Sequence, residues 1–237
     1  MPLGGKVKTR AKRKNWQCVR RAIQILSMCV LPFGTSTQLA AKKAVPGTPL
    51  HVLVFNYSGA PGTALMGAER EASRIFSQAG IAIAWVHCPI PLRADSDEAC
   101  AADVGAAGEV RVRIMDQATQ SAVPDTVFGF AIPPVFATVY YGNVLRIPTL
   151  HNSDYETPLI LGCLLAHEIG HLLLGPGAHA SSGIMQAKLQ AADVTRAIRG
   201  QLVFTRAEAN LLRVDALRRH QLFRSNEELR KHLSQLE

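Results

Sequence analysis

One segment, PLILGCLLAHEIGHLLL over residues 158–174, restricts the possible folds more than any other part of the chain. Its apolar residues would lie nearly all the way round a helix, and a helix of that kind is stable only when it is buried. Thr157 and Pro158 predict the start of the helix, because proline fits the first helical position without losing a hydrogen bond. Gly175 followed by Pro176 predicts its end. The sequence therefore predicts a domain in which this helix is buried against a sheet.

The same helix carries two histidines and a glutamate, His167, Glu168 and His171. Residues four apart on a helix project from nearly the same face, so two neutral imidazoles at this spacing can hold one zinc ion. Glu168 lies on the adjoining face, where its carboxylate can act as general base towards a zinc-activated water. Burying an unpaired glutamate between two buried histidines would cost several kcal/mol, and a bound metal removes that difficulty. The pattern therefore favours a catalytic zinc site over an ordinary core helix.

A catalytic zinc site needs a third protein ligand, for which the sequence offers two candidates. His179 follows Gly175-Pro176-Gly177, a segment that can reverse the chain and bring the imidazole back to the ion. Glu208 is the rival, although with Thr205 it also forms the capping box expected at a helix start. Met185 is expected to provide an apolar floor beneath the histidines. The sequence does not choose among three tyrosines that could stabilise an oxyanion: Tyr140, Tyr141 and Tyr155.

Ahead of the histidine helix, hydrophobic periodicity predicts a strand-helix-strand unit followed by further strands. The predicted elements are a strand over 50–58, a helix over 62–80, a strand over 81–88, a strand over 109–116 and a strand at 136–141. The strand-helix-strand order implies a parallel pair, and the prolines near the last strand are typical of a sheet edge. After the turn at Met185, capping boxes at Thr205 with Glu208 and at Ser225 with Glu228 predict two more helices.

The positive charge of the chain is confined to its N-terminal part. The formal net charge is +8, but residues 1–41 hold eight of the 26 Lys and Arg and none of the 18 acids, so residues 42–237 are neutral. No basic stripe with interleaved aromatics follows, which argues against a nucleic-acid partner. Residues 1–41 instead have a basic region, an apolar stretch too short to span a bilayer, and small residues at TQLAA. This order predicts a signal peptide over 1–41, a single domain over 42–237, and a secreted or periplasmic protein that leaves the membrane once the signal is removed.

Cysteine usage agrees with export. Cys88 and Cys100 bracket the turn-rich segment PIPLRADSDEA. In an oxidising compartment, a disulfide closing this loop would stabilise the fold by about 2–3 kcal/mol. Two free thiols are the alternative if the chain is not exported. Cys163, on the apolar helix, is expected to be a small core residue.

The histidine segment resembles the metzincin zinc metallopeptidases, whose pattern is HExxHxxGxxH with a methionine-containing turn beneath the metal. Three residues match the pattern outright and three more match in order: His167, Glu168 and His171, then Gly175, His179 and Met185. Seven residues separate the second and third histidines, where the family has five. The chain is more closely similar to exported bacterial proteins of undetermined function that share HEIGHLLLG, a nearby histidine, GIM and a later FT. SGIM and LVFTRAEANLLR match those features, and the likeness covers most of residues 50–217.

This resemblance implies an α+β, metzincin-like domain, with a twisted mixed sheet packed on a buried active-site helix and with C-terminal helices. It also implies that an extended peptide binds along the sheet edge above the zinc, for which Phe136–Tyr141 is the best candidate.

Residues and resemblance together predict an exported zinc-dependent metalloendopeptidase that acts on peptide or protein substrates, with Glu168 as general base. One alternative is an HExxH peptidase of the repressor-cleaving type, with Glu208 as an acidic third ligand. Another is a secreted, zinc-containing binding module without turnover. Structural zinc sites usually have four protein ligands, whereas this sequence offers three. The sequence does not indicate the substrate or the oligomeric state.

Overall fold

The structure is a computed structural model that describes residues 49–91, 98–101, 108–117, 124, 126–147 and 153–235. The predicted signal peptide lies outside the described residues. The elements are, in order, β1 (Leu50–Asn56), α1 (Gly62–Gln78), β2 (Ile83–Cys88), α2 (Glu98–Ala101), β3 (Val110–Met115), β4 (Gly129–Ile132), β5 (Phe136–Tyr140), α3 (Tyr141–Leu145), α4 (Ser153–Leu174), α5 (Ala191–Ile198) and α6 (Arg206–Leu233).

The strands form one mixed sheet in the order β2-β1-β3-β5-β4. The pairs among β2, β1, β3 and β5 are parallel, and β4 is antiparallel to β5. The predicted parallel pair of β1 and β2 is therefore confirmed, as is the α+β class with a mixed sheet. The prediction of Phe136–Tyr141 as the edge strand is wrong, because β5 lies between β3 and β4. The nearby prolines belong to the turn at residues 133–135, which joins β4 and β5, and β4 is the edge.

The main core lies between one face of the sheet and the helices α1 and α4. Alternate residues of β1, β3 and β5 point into it, as the two-residue period of a strand requires: Val52, Val54, Val110, Val112, Ile114, Ala137 and Val139. A smaller cluster of Leu53 and Phe55 with Cys88 and Cys100 lies on the opposite face. Cys88 and Cys100 form the predicted disulfide, with their Cα atoms 5.6 Å apart.

Helix α4 begins at Ser153, so the prediction that it starts around Thr157 and Pro158 is wrong. Pro158 lies inside the helix, where it leaves one helical hydrogen bond unmade. Its ring packs closely on α1, since a Cβ on Gly67 would lie 2.6 Å from the Cβ of Pro158. This tertiary contact overrides the local preference for a helix start. The helical segment Asp154–Leu174 is long and apolar enough to cross a membrane, but 78% of its most apolar stretch is buried inside the protein. Packing in the core therefore accounts for its apolar composition.

Two helices follow α4, and only one of the two predicted capping boxes begins a helix. At the start of α6, the Thr205 N–H donates to Glu208 Oε2 at 2.6 Å, and the Glu208 N–H donates to Thr205 Oγ1 at 3.3 Å. The predicted helix start at Ser225 with Glu228 is wrong, because both residues lie within the continuous helix α6. There Glu228 forms an ion pair with Arg224, one helical turn away, rather than a cap. The other helix, α5, is capped by Gln190 and Asp193.

Candidate active site

Helix α4 positions His167 and His171 one turn apart with their rings in contact. His167 Nδ1 lies 2.7 Å from the carbonyl oxygen of Ile184, which can only accept, so Nδ1 carries the proton. The Nε2 atom of His167 is left with a free lone pair and lies 3.1 Å from His171 Nε2. The backbone of the segment after α4 thus sets both the tautomer and the orientation of His167.

His179 reaches the same place because the chain reverses after α4. Gly175 ends the helix at φ 90° and Gly177 follows at φ 74°, both in the left-handed region that glycine adopts without strain. The Ala180 N–H then donates to the Met185 carbonyl at 2.8 Å, which fixes the returning segment beside the turn. The centroid of the His179 ring lies 5.8 Å from that of His167 and 4.7 Å from that of His171. The longer spacing between the second and third histidines is therefore compatible with their convergence.

The ligand atoms of His167, His171 and His179 all lie within 4.8 Å of one another. Within the part of the chain that the structure describes, this is the one group of three His, Cys, Asp or Glu residues close enough to share a metal ion. Burial, reinforced by the other two histidines, lowers the pKa of His171 to about 4. Burial also lowers the pKa of His167. Neutral imidazoles are the form that binds a metal, so the group is suited to hold one.

Glu168 lines the same cavity as the three histidines, lies close to the first residue of β4, and is only 5% exposed. Burial raises the pKa of its carboxyl group to about 8. A Cβ on Gly129, the first residue of β4, would lie 2.7 Å from Glu168 Oε1. Only glycine leaves room for the carboxylate there. Gly129 is thus a site residue that the sequence analysis missed, and no local pattern marked it.

A cavity of about 850 Å³ runs beside the histidines and Glu168. Its further walls are largely apolar and come from α4, the segment before β4 and the region around α5: Cys163, Leu164, Val127, Leu189 and Leu202. Cys163 is free and buried as predicted, and burial raises the pKa of its thiol to about 12. This cavity is large enough to hold an apolar group of a small ligand next to the carboxylate.

The three tyrosines considered for oxyanion stabilisation do not line this cavity. Tyr140 is buried, and its ring lies 6.3 Å from that of Phe130. Tyr141 begins α3, and burial together with Asp154 raises its pKa. Tyr155 is 61% exposed at the start of α4. Of the residues that the structure describes, no tyrosine lies along the cavity wall.

Met185 is fully buried under the histidine turn of α4. A Cβ on Gly170 would lie 2.7 Å from Met185 Sδ and 3.0 Å from the ring of Phe204. The methionine therefore supports the backbone directly before His171. Phe204, part of the sequence motif LVFTRAEANLLR, completes this support, a role that the sequence analysis did not assign.

Glu208, the rival third ligand, is used differently in the structure. Its Oε2 accepts the Thr205 N–H, and its carboxylate is not part of the imidazole group. Glu208 is buried and lies close enough to His167 for its charge to raise the pKa of that imidazole. Burial of His167 is the larger effect and lowers the same pKa. Its position at the start of α6 is that of a helix cap.

No protein-family model and no curated protein matches this chain. Two similar solved structures are a zinc-dependent peptidase from Methanocorpusculum labreanum and an archaemetzincin from Methanopyrus kandleri. The first is 16% identical, with a TM-score of 0.49, and the match covers 68% of this chain and 99% of that chain. The second is 13% identical, with a TM-score of 0.45, and the match covers 75% of this chain and 98% of that chain.

Proposed function

We propose that this protein is an exported zinc-dependent metalloendopeptidase in which His167, His171 and His179 hold the zinc and Glu168 is the general base. The observation that carries the proposal is the convergence of three imidazole ligand atoms within 4.8 Å, next to a buried carboxyl group. Three protein ligands with an open position are typical of catalytic zinc, whereas structural zinc has four. The donor set and the neutral state of His167 and His171 fit the metal.

Zinc, when bound, supplies Lewis acidity, which acidifies water and polarises a carbonyl group. In this proposal, Glu168 accepts the proton of the attacking water and passes it to the leaving amine. Its buried position shields the carboxylate from bulk solvent, and Gly129 gives it room at the start of β4. Met185 and Phe204 hold the helix backbone from below, so that the imidazoles keep their positions.

The edge of β4 supports a peptide as the substrate. The Tyr140 N–H donates to the Phe128 carbonyl at 2.8 Å, which makes these two residues a hydrogen-bonded pair. Because such pairs alternate along antiparallel strands, the backbone groups of Gly129 and Ala131 point away from β5. In the described ranges, no other strand pairs with β4 on that side. An extended peptide that adds to this edge would pass directly over Glu168.

Export is part of the proposal and is supported by two features. Residues 1–41 have the order of a signal peptide. The Cys88–Cys100 disulfide is typical of an oxidising compartment. N-terminal sequencing of protein recovered from the periplasm or the medium should give a start near Lys42. Recovery of the intact chain, beginning at Met1, from the cytosol alone would contradict export.

Metal analysis combined with a casein or peptide-library assay tests the enzymatic function. The wild-type protein should contain one zinc ion and hydrolyse peptide bonds. Glu168→Gln should keep the zinc and lose roughly 10²–10⁴-fold in kcat/KM, since general-base catalysis contributes about that much. Glu228→Gln, at an exposed position of α6, is the matched control and should change neither quantity. Full hydrolysis by Glu168→Gln would contradict the proposal.

A further inference from the structure

Strand β4 has two faces of different character. A Cβ on Gly129 would point at Glu168, and Ala131 packs on the main core. These two positions therefore face α4. Successive side chains of a strand alternate, which places Phe130 and Ile132 on the opposite side, here named the outer face of β4. Phe130 is 39% exposed and Ile132 is 57% exposed. Two large apolar side chains are thus presented side by side on the strand that borders the active site.

Strand β4 is also the edge of the sheet, so its free backbone groups can pair with an extended chain. A chain bound in this way would lie beside the outer face of β4. A chain that pairs with β4 would run past Gly129, whose Cβ position is 2.7 Å from Glu168 Oε1. Residues directly opposite each other on neighbouring antiparallel strands have Cβ atoms about 4.5–5.5 Å apart. Alternate side chains of the bound chain would therefore lie next to Phe130 and Ile132. The side chains in between would turn towards α4 and the cavity.

We propose that Phe130 and Ile132 are specificity-determining residues that select extended peptide segments with large apolar side chains at alternate positions. This inference rests on the proposed peptidase function and names its substrate class. Cross-strand pairs of aromatic or β-branched residues are worth up to about fivefold each in an equilibrium constant. Contacts with both residues should therefore discriminate apolar from polar segments by about tenfold.

Two peptides of equal length test this selection. Both have alanine at the positions facing α4, and they carry either leucine or serine at the alternate positions. Wild-type protein should show about a tenfold higher kcat/KM for the leucine peptide. Phe130→Ser and Ile132→Ser should each reduce this preference several-fold while zinc content stays unchanged. Leu229→Ser, on an exposed position of α6, is the matched control and should leave the preference intact. If Phe130→Ser does not fold, the more exposed Ile132 decides the matter alone.

A binding measurement separates this inference from the peptidase function. Fluorescence anisotropy of labelled peptides is recorded with Glu168→Gln, alone and combined with Ile132→Ser. Tighter binding of the leucine peptide that is weakened by Ile132→Ser supports the inference. Failure of the wild type to hydrolyse either peptide would overturn only the proposed function. Equal binding of the two peptides would overturn the inference. A homodimer that Ile132→Ser dissociates would overturn it as well, because a second copy would then occupy the edge.

Discussion

Helices α4 and α6 are the two longest of the described residues, and they use polar side chains in opposite ways. Helix α4 is buried on nearly all sides; Glu168 is buried, and His167 and His171 beside it are half-buried. Helix α6 has one face against the fold, while its polar residues mostly lie in water and form ion pairs one turn apart. Burial of a polar group is costly, so a buried one needs a partner or a function, whereas a solvated one needs neither. A buried polar residue in α4 therefore points to a function, whereas a solvated polar residue in α6 does not.

Two buried charged residues of α6 are exceptions, and both fix the helix in place. Glu208 caps its first turn. Arg219 is 4% exposed and pairs with Asp215 at 2.6 Å. The same guanidinium donates to the carbonyl of Leu172 in α4 at 2.8 Å and to that of Pro134 at 2.7 Å. The buried charged residues Glu208 and Arg219 of α6 thus serve the structure, while the buried Glu168 of α4 serves the proposed chemistry.

The largest expected effect is the loss of the third zinc ligand. The contrast would fail if that ligand were Glu208 of α6 rather than His179. His179→Ala should lose both zinc and hydrolysis, because two histidines from α4 hold the ion weakly without the third. Glu208→Ala should keep both and cost about 1 kcal/mol of stability through the lost cap. Zinc content, peptide hydrolysis and urea unfolding of the two variants decide the matter. The opposite result would make Glu208 the third ligand and favour the acidic-ligand alternative.

Replacement of Arg219 should give the largest loss of stability within α6. Arg219→Met leaves the Leu172 and Pro134 carbonyls without this donor, and hydrogen bonds to charged groups are worth about 1.5–3 kcal/mol each. We expect a net loss of about 3 kcal/mol in urea unfolding. Arg218→Met, at an exposed neighbour that also pairs with Asp215, is the control and should cost less than about 1 kcal/mol. Equal losses for the two variants would remove the distinction between buried and solvated charges.

Gly170→Ala tests the close packing beneath α4. The added Cβ would meet Met185 Sδ at 2.7 Å and the Phe204 ring at 3.0 Å, so that one of these side chains must shift. Such overpacking typically costs about 1–3 kcal/mol. Displacement of the backbone before His171 should also weaken zinc retention in a chelator titration. Unchanged stability together with unchanged zinc affinity would show that Met185 does not support the site.

The smallest effect is expected on the solvated face of α6. Leu229 is 56% exposed, so Leu229→Ser should change the unfolding free energy by less than about 0.5 kcal/mol and leave hydrolysis unaffected. A large loss of stability would mean that a partner covers this face, and sedimentation analysis of the wild type would then show an oligomer.

The sequence was most informative where a signal depends on near neighbours along the chain. The parallel pair of β1 and β2, the disulfide between Cys88 and Cys100, and the capping box at Thr205 were all predicted and are present. Each follows from a strand-helix-strand order, from a capping pattern within one helical turn, or from two cysteines 12 positions apart. The pair His167 and His171 belongs to this group, since helical geometry alone places residues four apart on one face.

Contacts between distant segments decided the rest. The edge strand is β4 rather than β5, because strand order depends on pairing energies across the whole sheet. Helix α4 starts at Ser153 because Pro158 packs on Gly67 of α1, a contact that local propensity does not contain. The approach of His179 and the room that Gly129 leaves for Glu168 likewise require the folded chain. Helical spacing determined which residues of α4 share a face, and only tertiary packing determined what those residues meet.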